Sequence, residues 1–345
     1  MRGTKVTGWE LLNGLSCSLS ESFQPKLTHQ ENATPRIKAT YSRCEFDRRP
    51  LTATMKLPLF GLRADDFRHP LDFEATSTLK QIPGLPVLIR SLLGEVGEQF
   101  FYLENIASSI LVGPNQLPDL YALLHDAARV LDVEAPQLYV RQDPSPNAYT
   151  FAMRGRQPFV VVHTSLIDML EPDEVKAVIA HELGHLKCEH GVYLTLANLL
   201  MLAAEQIPMW GQPIVANLES QMMEWVRCAE FSCDRAALLA IQDPRVVASV
   251  LMKLSGGSPK LSPLLNLDAF IEQARAYDRI DDNEIGELLK QMQTEQLSHP
   301  VPVLRAREID RWSRSQEYQR LLNSASSGYN DRLNDKTSSG KWRNW

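Results

Sequence analysis

Residues 172–190 read PDEVKAVIAHELGHLKCEH, and this stretch decides the fold. Pro172 followed by two acidic residues is typical of a first helical turn, because proline tolerates that position and carboxylates favour the positive end of the helix dipole. Apolar residues then recur at helical spacing, at Val175, Val178, Ile179, Leu183 and Leu186. The sequence therefore predicts a buried helix.

Two histidines lie on one face of this helix. His181 and His185 are four residues apart, which is about 400° of rotation, and two imidazoles one turn apart can bind one zinc ion. Glu182 is rotated by only about 100°, so it borders the same pocket, where a general base acts on a zinc-bound water. The alternative, two ordinary core or surface histidines, is disfavoured by the buried helix around them.

A third metal ligand is offered by residues 227–237, which read RCAEFSCDRAA. A catalytic zinc needs three protein ligands and one open position. Glu230 and Asp234 share a helix face, so Glu230 can bind the metal while Asp234 orients a ligand histidine. Alone, such a pair is more often a solvated face, but beside the two histidines the metal interpretation is favoured.

The chain resembles the M48 family of zinc metallopeptidases, gluzincins that include CAAX prenyl endopeptidases and HtpX-type quality-control proteases. Three further blocks carry the resemblance besides the two helices. Residues 146–151 (PNAYTF) are similar to the family's P-N-A-F-A segment, and residues 159–168 (FVVVHTSLID) resemble the strand and turn before the zinc helix. Residues 298–300 (SHP) followed by Arg305 resemble H-P-x-x-x-x-R. The blocks span roughly residues 115–312.

The resemblance implies an α+β, mainly α, fold, in which a zincin-like metallopeptidase domain has a small, mostly antiparallel sheet packed on the HExxH helix. It implies one Zn²⁺ per chain with His181, His185 and Glu230 as ligands. Glu182 is then the base, and Asp234 supports the ligands. An edge strand would bind an extended peptide by β-augmentation through Asn147, Ala148 and Tyr149.

His299 and Arg305 are implied to face the metal and to stabilise the oxyanion of the tetrahedral intermediate. The function implied is a zinc-dependent endopeptidase that acts on protein or peptide substrates through a zinc-bound water with Glu182 as base, in organellar protein turnover or processing. The alternative is a latent or inactive zinc-containing adaptor or chaperone-like protein, in which His299 closes the metal site. The net charge of −6 shows no basic footprint, so no nucleic-acid partner is expected.

Other histidine and cysteine residues near these blocks receive structural interpretations. His190 lies five residues beyond His185, about 500° around a helix, and so is not aligned with the zinc face. The five cysteines are odd in number and form no C-x-x-C, which does not fit a disulfide framework. We interpret Cys188, Cys228 and Cys233 as small buried apolar residues.

The ends of the chain differ in composition from its middle. Residues 1–50 carry a net charge of +3 (8 basic minus 5 acidic) and many hydroxyl residues, which favours a transit peptide for the chloroplast, with the mitochondrion or a plain disordered tail as alternatives. Residues 51–112 are predicted as a lead-in, residues 113–323 as the peptidase domain, and residues 324–345 as a disordered tail.

No transmembrane span is expected. The apolar stretch at 192–204 is about 13 residues long, whereas a spanning helix needs about 20. It predicts a buried helix or a shallow membrane-dipping hairpin. The helical stretch predicted at 85–111 either packs on the domain or associates peripherally with a membrane surface.

Hydrophobic periodicity predicts the remaining elements. The pattern indicates helices over 117–133, 219–241 and 302–322, a mainly helical region over 264–295, and short strands at 138–141, 148–153 and 159–162.

Overall fold

The computed structural model describes residues 56–81, 103, 107–152, 157–191, 212–278 and 301–332. Within these ranges the α-helices are α1 Pro70–Lys80, α2 Pro118–Val130, α3 Thr164–Met169, α4 Pro172–Lys187, α5 Gln212–Ile241, α6 Pro244–Gly256, α7 Leu267–Asp278, α8 Pro302–Ser313 and α9 Gln316–Arg332. The strands are β1 Ser109–Leu111, β2 Gln137–Arg141, β3 Ala148–Phe151 and β4 Phe159–His163. The chain is mainly helical, as predicted.

The four strands form one mixed sheet in the order β1-β2-β4-β3. β1 pairs antiparallel with β2, β2 pairs parallel with β4, and β3 pairs antiparallel with β4. Two of the three pairings are antiparallel, which agrees with the predicted sheet. β3 is an edge strand, and Thr150 in it lies opposite Val160.

Both faces of the sheet are buried. Successive side chains of a strand point to opposite sides, and each side packs in an apolar cluster. The main core receives one set of strand residues: Leu138, Val140, Val160 and Val162. A smaller cluster on the other face contains Tyr139, Phe159 and Val161, with Tyr149 and Phe151 packed against it. Ala148 packs against the main core, so β3 presents Ala148 and Tyr149 to opposite sides.

Helix α4 begins at Pro172 because a capping box closes its first turn. The Glu171 N–H donates to Glu174 Oε2 at 2.8 Å, and Glu174 also accepts from Lys253 Nζ at 2.6 Å. The apolar stripe of α4 is buried in the main core, as its spacing predicts. The helix that carries the histidines is thereby fixed at its start and along its length.

Helices α4 and α5 approach each other closely at Gly184. A Cβ atom added there would lie 2.9 Å from Ala236 Cβ and 3.0 Å from Cys233 Cα, and the second contact is with backbone that cannot rotate away. The absence of a side chain at this position thus sets the distance between the two helices that carry the candidate ligands.

We expect Gly184→Ala to lower the free energy of unfolding by about 1–3 kcal/mol, since overpacking forces the two helices apart. Gly256→Ala is the matched control: Gly256 ends a helix, and an added Cβ would meet nothing within 4 Å. Urea unfolding of both variants tests the difference. A Gly184→Ala protein as stable as the control would contradict the close approach.

Several predicted boundaries need correction. Ser109–Leu111, at the end of the stretch predicted as helical over 85–111, forms strand β1, because its backbone pairs with β2. The single helix predicted over 302–322 is two helices, which break where the N–H groups of Arg314 and Ser315 bond back to Arg311 and Trp312. The second of these, α9, ends at Arg332.

The predicted lead-in contributes to the same core as the predicted peptidase domain. Leu59, Leu62 and Phe67 are buried in the main cluster, and Leu59 N–H donates to the Val130 carbonyl at 2.9 Å. The boundary predicted between residues 112 and 113 therefore does not separate two cores.

Some predictions fall outside the described residues: those for 1–50, for most of 85–106, for 192–204, for 279–295, for His299 and for 333–345. In the described part of the chain, no helix combines the length and apolar character needed to cross a membrane.

Candidate metal centre

The side chains of His181, His185 and Glu230 converge where α4 meets α5. His181 Nε2 lies 3.4 Å from one carboxylate oxygen of Glu230, and His185 Nε2 lies 3.4 Å from the other. A tetrahedral zinc ion with bonds of about 2.0–2.2 Å holds its ligand atoms about 3.3–3.5 Å apart. Each imidazole Nε2 thus lies at such a separation from one oxygen of Glu230, and the two histidines face different oxygens of that carboxylate.

Asp234 orients the first of these histidines. His181 Nδ1 lies 3.1 Å from Asp234 Oδ1, so the carboxylate accepts the Nδ1 proton, and Nε2 is the nitrogen that faces Glu230. Burial alone would raise the pKa of Asp234, but the neighbouring Arg305 outweighs burial and lowers that pKa. Asp234 therefore stays ionised and binds the Nδ1 side of the ring, which leaves the Nε2 side for a metal.

His181 has negatively charged surroundings. Burial disfavours the protonated ring, but the charges of Glu230 and Asp234 outweigh burial and raise the pKa of His181 to about 10. Those same charges favour a metal cation beside the ring.

Arg305 binds both carboxylates. Its Nε and Nη2 donate to the two oxygens of Asp234 at 2.8 and 2.7 Å, and its Nη1 lies 3.1 Å from Glu230 Oε2. All three guanidinium nitrogens thus lie against the carboxylates that surround His181, where they hold those groups in place.

Glu182 is buried beside the ligands and contacts the edge strand. Thr150 Oγ1 donates to Glu182 Oε2 at 2.7 Å, and it lies 3.2 Å from the Glu182 backbone oxygen. The sequence analysis did not single out Thr150. The available signal was strand alternation, which places Thr150 on the same side as Ala148.

His185 contacts a second buried histidine through its Nδ1 atom. His185 Nδ1 lies 3.2 Å from His190 Nδ1, and His190 Nε2 lies 3.1 Å from Asp72 Oδ2. Burial lowers the pKa of His190 to about 4, although Asp72 opposes this. The helix ends at Lys187, so His190 lies beyond it and its position does not follow from rotation around the helix, and it contacts a predicted ligand. Asp72 was not singled out from the sequence.

Cys233 is a rival third ligand, because its thiol lies close to both His181 and His185. Its sulfur lies 3.7 Å from His190 Nδ1, whereas the oxygens of Glu230 face both Nε2 atoms at 3.4 Å. Burial also raises the pKa of the Cys233 thiol, which disfavours the thiolate that binds metals. Cys233 and Cys188 are buried free thiols, as predicted, while Cys228 is only partly buried.

Comparison with known proteins decides the family. The model of peptidase family M48 matches residues 114–313. The chain belongs to peptidase family M48. It is 58% identical over 264 residues to plastoglobule-localized metallopeptidase 48, chloroplastic, of Arabidopsis thaliana, an alignment that covers 76% of this chain and 77% of that protein.

More distant M48 relatives are bacterial and archaeal. The chain is 28% identical over 186 residues to protease HtpX homolog 2 of Methanosarcina mazei, covering 46% of this chain and 63% of that protein. It is 27% identical over 208 residues to a protease HtpX homolog of Moorella thermoacetica, covering 52% and 69%. No solved structure matches the chain.

Membership of M48 confirms the predicted family and the α+β zincin-like fold. The protein is a metalloendopeptidase, a hydrolase that acts on protein substrates and depends on a metal, which in this family is typically zinc. The chloroplastic relative supports the chloroplast predicted from residues 1–50 and gives no support to the mitochondrial alternative. The adaptor alternative depends on His299, which lies outside the described residues.

Proposed function

We propose that this M48 peptidase hydrolyses peptide bonds with one zinc ion held by His181, His185 and Glu230, and with Glu182 as general base. The observation that carries the proposal is the position of the two imidazole Nε2 atoms, each 3.4 Å from a different oxygen of the same carboxylate. When bound, zinc lowers the pKa of water and polarises the peptide carbonyl.

Glu182 exchanges the proton. Thr150 donates to Glu182 Oε2, which fixes the plane of the carboxylate, and we assign proton transfer to Oε1. Glu182 accepts a proton from the attacking water and delivers it to the leaving amine. The 2.7 Å hydrogen bond between Thr150 and Glu182 connects the proposed base directly to the edge strand β3.

The substrate is proposed to add to β3 as an extended strand, with Asn147, Ala148 and Tyr149 as its binding residues. Support comes from the edge position of β3 and from Thr150, which ties this strand to the base. Tyr149 packs with the cluster on the face opposite Ala148, and the Asn147 carbonyl accepts from the His163 N–H at 3.0 Å. Recognition by this strand therefore depends on its backbone.

Arg305 is proposed to hold Glu230 and Asp234 in place of the oxyanion role that the resemblance implied. Its bidentate pair with Asp234 and its contact with Glu230 support this assignment. His299 keeps its two predicted roles, as oxyanion partner or as a closing ligand. The Arabidopsis relative, a chloroplastic metallopeptidase, supports a place for this peptidase in chloroplast protein turnover or processing.

Metal removal tests the proposal. We expect the purified full-length chain to cleave casein, to lose cleavage when 1,10-phenanthroline strips the metal, and to recover it when zinc is added back at one ion per chain. Mass spectrometry of the stripped protein verifies that the metal is gone. Cleavage that persists in verified metal-free protein would overturn the proposed mechanism.

A further inference from the structure

A buried series of contacting polar side chains connects His185 with helix α1, and the proposed mechanism does not use it. His185 Nδ1 contacts His190 Nδ1 at 3.2 Å, and His190 Nε2 contacts Asp72 Oδ2 at 3.1 Å. His190 and Asp72 are both fully buried. Asp72 precedes His190 by 118 residues, so the contact joins the predicted lead-in to the end of the helix that carries the ligands.

The partners fix where each proton lies. A neutral imidazole has one donor nitrogen and one acceptor nitrogen. His190 Nε2 faces a carboxylate, which only accepts, so Nε2 carries the proton. In the neutral ring Nδ1 then accepts, and it faces His185 Nδ1 at 3.2 Å and the Cys233 sulfur at 3.7 Å. His185 Nδ1 must then donate, which leaves the lone pair on His185 Nε2, the atom that faces Glu230 at 3.4 Å.

Asp72 is itself held from several sides. Ser232 Oγ donates to Asp72 Oδ2 at 2.6 Å, and Thr76 Oγ1 donates to Asp72 Oδ1 at 2.9 Å. Trp225 Nε1 donates in turn to Thr76 Oγ1 at 2.8 Å. These donors keep the Asp72 carboxylate from rotating, so it holds His190 in a fixed position.

A second metal ion in this cluster is the rival explanation, since Asp72, Cys188 and His190 place one ligand atom each within 4.8 Å of one another. The surroundings disfavour it. Arg68 Nε lies 3.8 Å from Asp72 Oδ2 and repels a cation there, and the oxygens of Asp72 already accept from two hydroxyl groups.

We propose that Asp72, acting through His190, is a positioning residue that sets the tautomer and ring orientation of His185 for metal binding. Helix α1 is thereby part of the metal centre. This inference rests on the proposed function for the identity of the ligand that His185 binds. At the other histidine, His181, a carboxylate contacts the ring directly, that of Asp234.

The test is the zinc affinity of the full-length Asp72→Asn protein, measured by competition with a chromophoric chelator. We expect a dissociation constant about 10–100-fold larger than that of the wild type, the usual cost of losing such an orienting partner. Glu174→Gln is the matched control, because Glu174 is a buried carboxylate paired with Lys253 at 2.6 Å and contacts neither His185 nor His190. Its zinc affinity should equal that of the wild type.

Thermal unfolding of the metal-free proteins separates positioning from general stability. A folded Asp72→Asn protein with zinc affinity within twofold of the wild type overturns the inference. Equal loss of zinc affinity in Asp72→Asn and Glu174→Gln also overturns it, because the effect is then structural. Two zinc ions per wild-type chain would favour the rival second site instead.

A second readout keeps the test independent of activity and of the mutant's folding. Long-range ¹⁵N–¹H spectra of the wild-type chain should show the proton on Nε2 of His190 and on Nδ1 of His185. A proton on Nδ1 of His190 contradicts the inference. If the wild type binds no zinc, the proposed function fails, while these tautomers still decide whether the series of contacts from Asp72 is arranged as inferred.

Discussion

Glu182→Gln is expected to lower the rate of peptide hydrolysis by a factor on the order of 10²–10⁴, the usual contribution of a positioned general base. The amide has nearly the shape of the carboxylate, and its oxygen can still accept from Thr150. It cannot accept a proton from water at neutral pH. Metal content and thermal stability should therefore stay at wild-type values while kcat/KM for a fluorogenic peptide falls.

Glu189→Gln is the matched control for this variant, since Glu189 is exposed at the end of the same helix and undergoes the same chemical change. It should cleave at the wild-type rate. A folded, metal-loaded Glu182→Gln protein that cleaves as fast as Glu189→Gln would show that Glu182 is not the base.

Glu230→Gln has the second large expected effect, the loss of bound zinc. The two oxygens of the carboxylate each face one of the imidazoles, and a neutral amide is a much poorer ligand. We expect zinc affinity to fall at least about a hundredfold, beyond the cost of losing an orienting partner. Arg305 also loses one of its two buried carboxylates, so the melting temperature of the metal-free protein should fall as well.

Glu224→Gln serves as the control, because Glu224 lies on the same helix α5 and is exposed. Its zinc content and melting temperature should match those of the wild type. Wild-type zinc affinity in Glu230→Gln would mean that another residue is the third ligand, and Cys233 would be the first to substitute.

The sequence was most informative where a function depends on residues within one helix. Periodicity and start signals predict α4 because its apolar stripe, its proline and its acids all lie within sixteen residues. Residues four apart share a face, so the pairs on α4 and on α5 could be predicted by counting. That the two pairs meet came from the resemblance, since no local rule sets the approach of α4 and α5 at Gly184.

Contacts between distant segments could not be predicted in this way. Asp72 reaches His190 across 118 residues, and Thr150 reaches Glu182 across 32. Both depend on how α1 and β3 pack, which periodicity does not specify. The partner strand, and not the local sequence, determines the conformation of β1, so the local pattern wrongly predicted a helix there. The resemblance predicted Arg305 as a site residue, and the structure adds its contacts with Asp234 and Glu230.

X-ray diffraction at energies above and below the zinc absorption edge tests the central claim most directly. In crystals of the full-length, zinc-loaded protein, we expect one anomalous peak per chain. It should lie about 2.0–2.2 Å from His181 Nε2, His185 Nε2 and a carboxylate oxygen of Glu230. A folded protein with no peak at this position, or with a peak coordinated by Cys233 or by the cluster of Asp72, Cys188 and His190, would contradict the account.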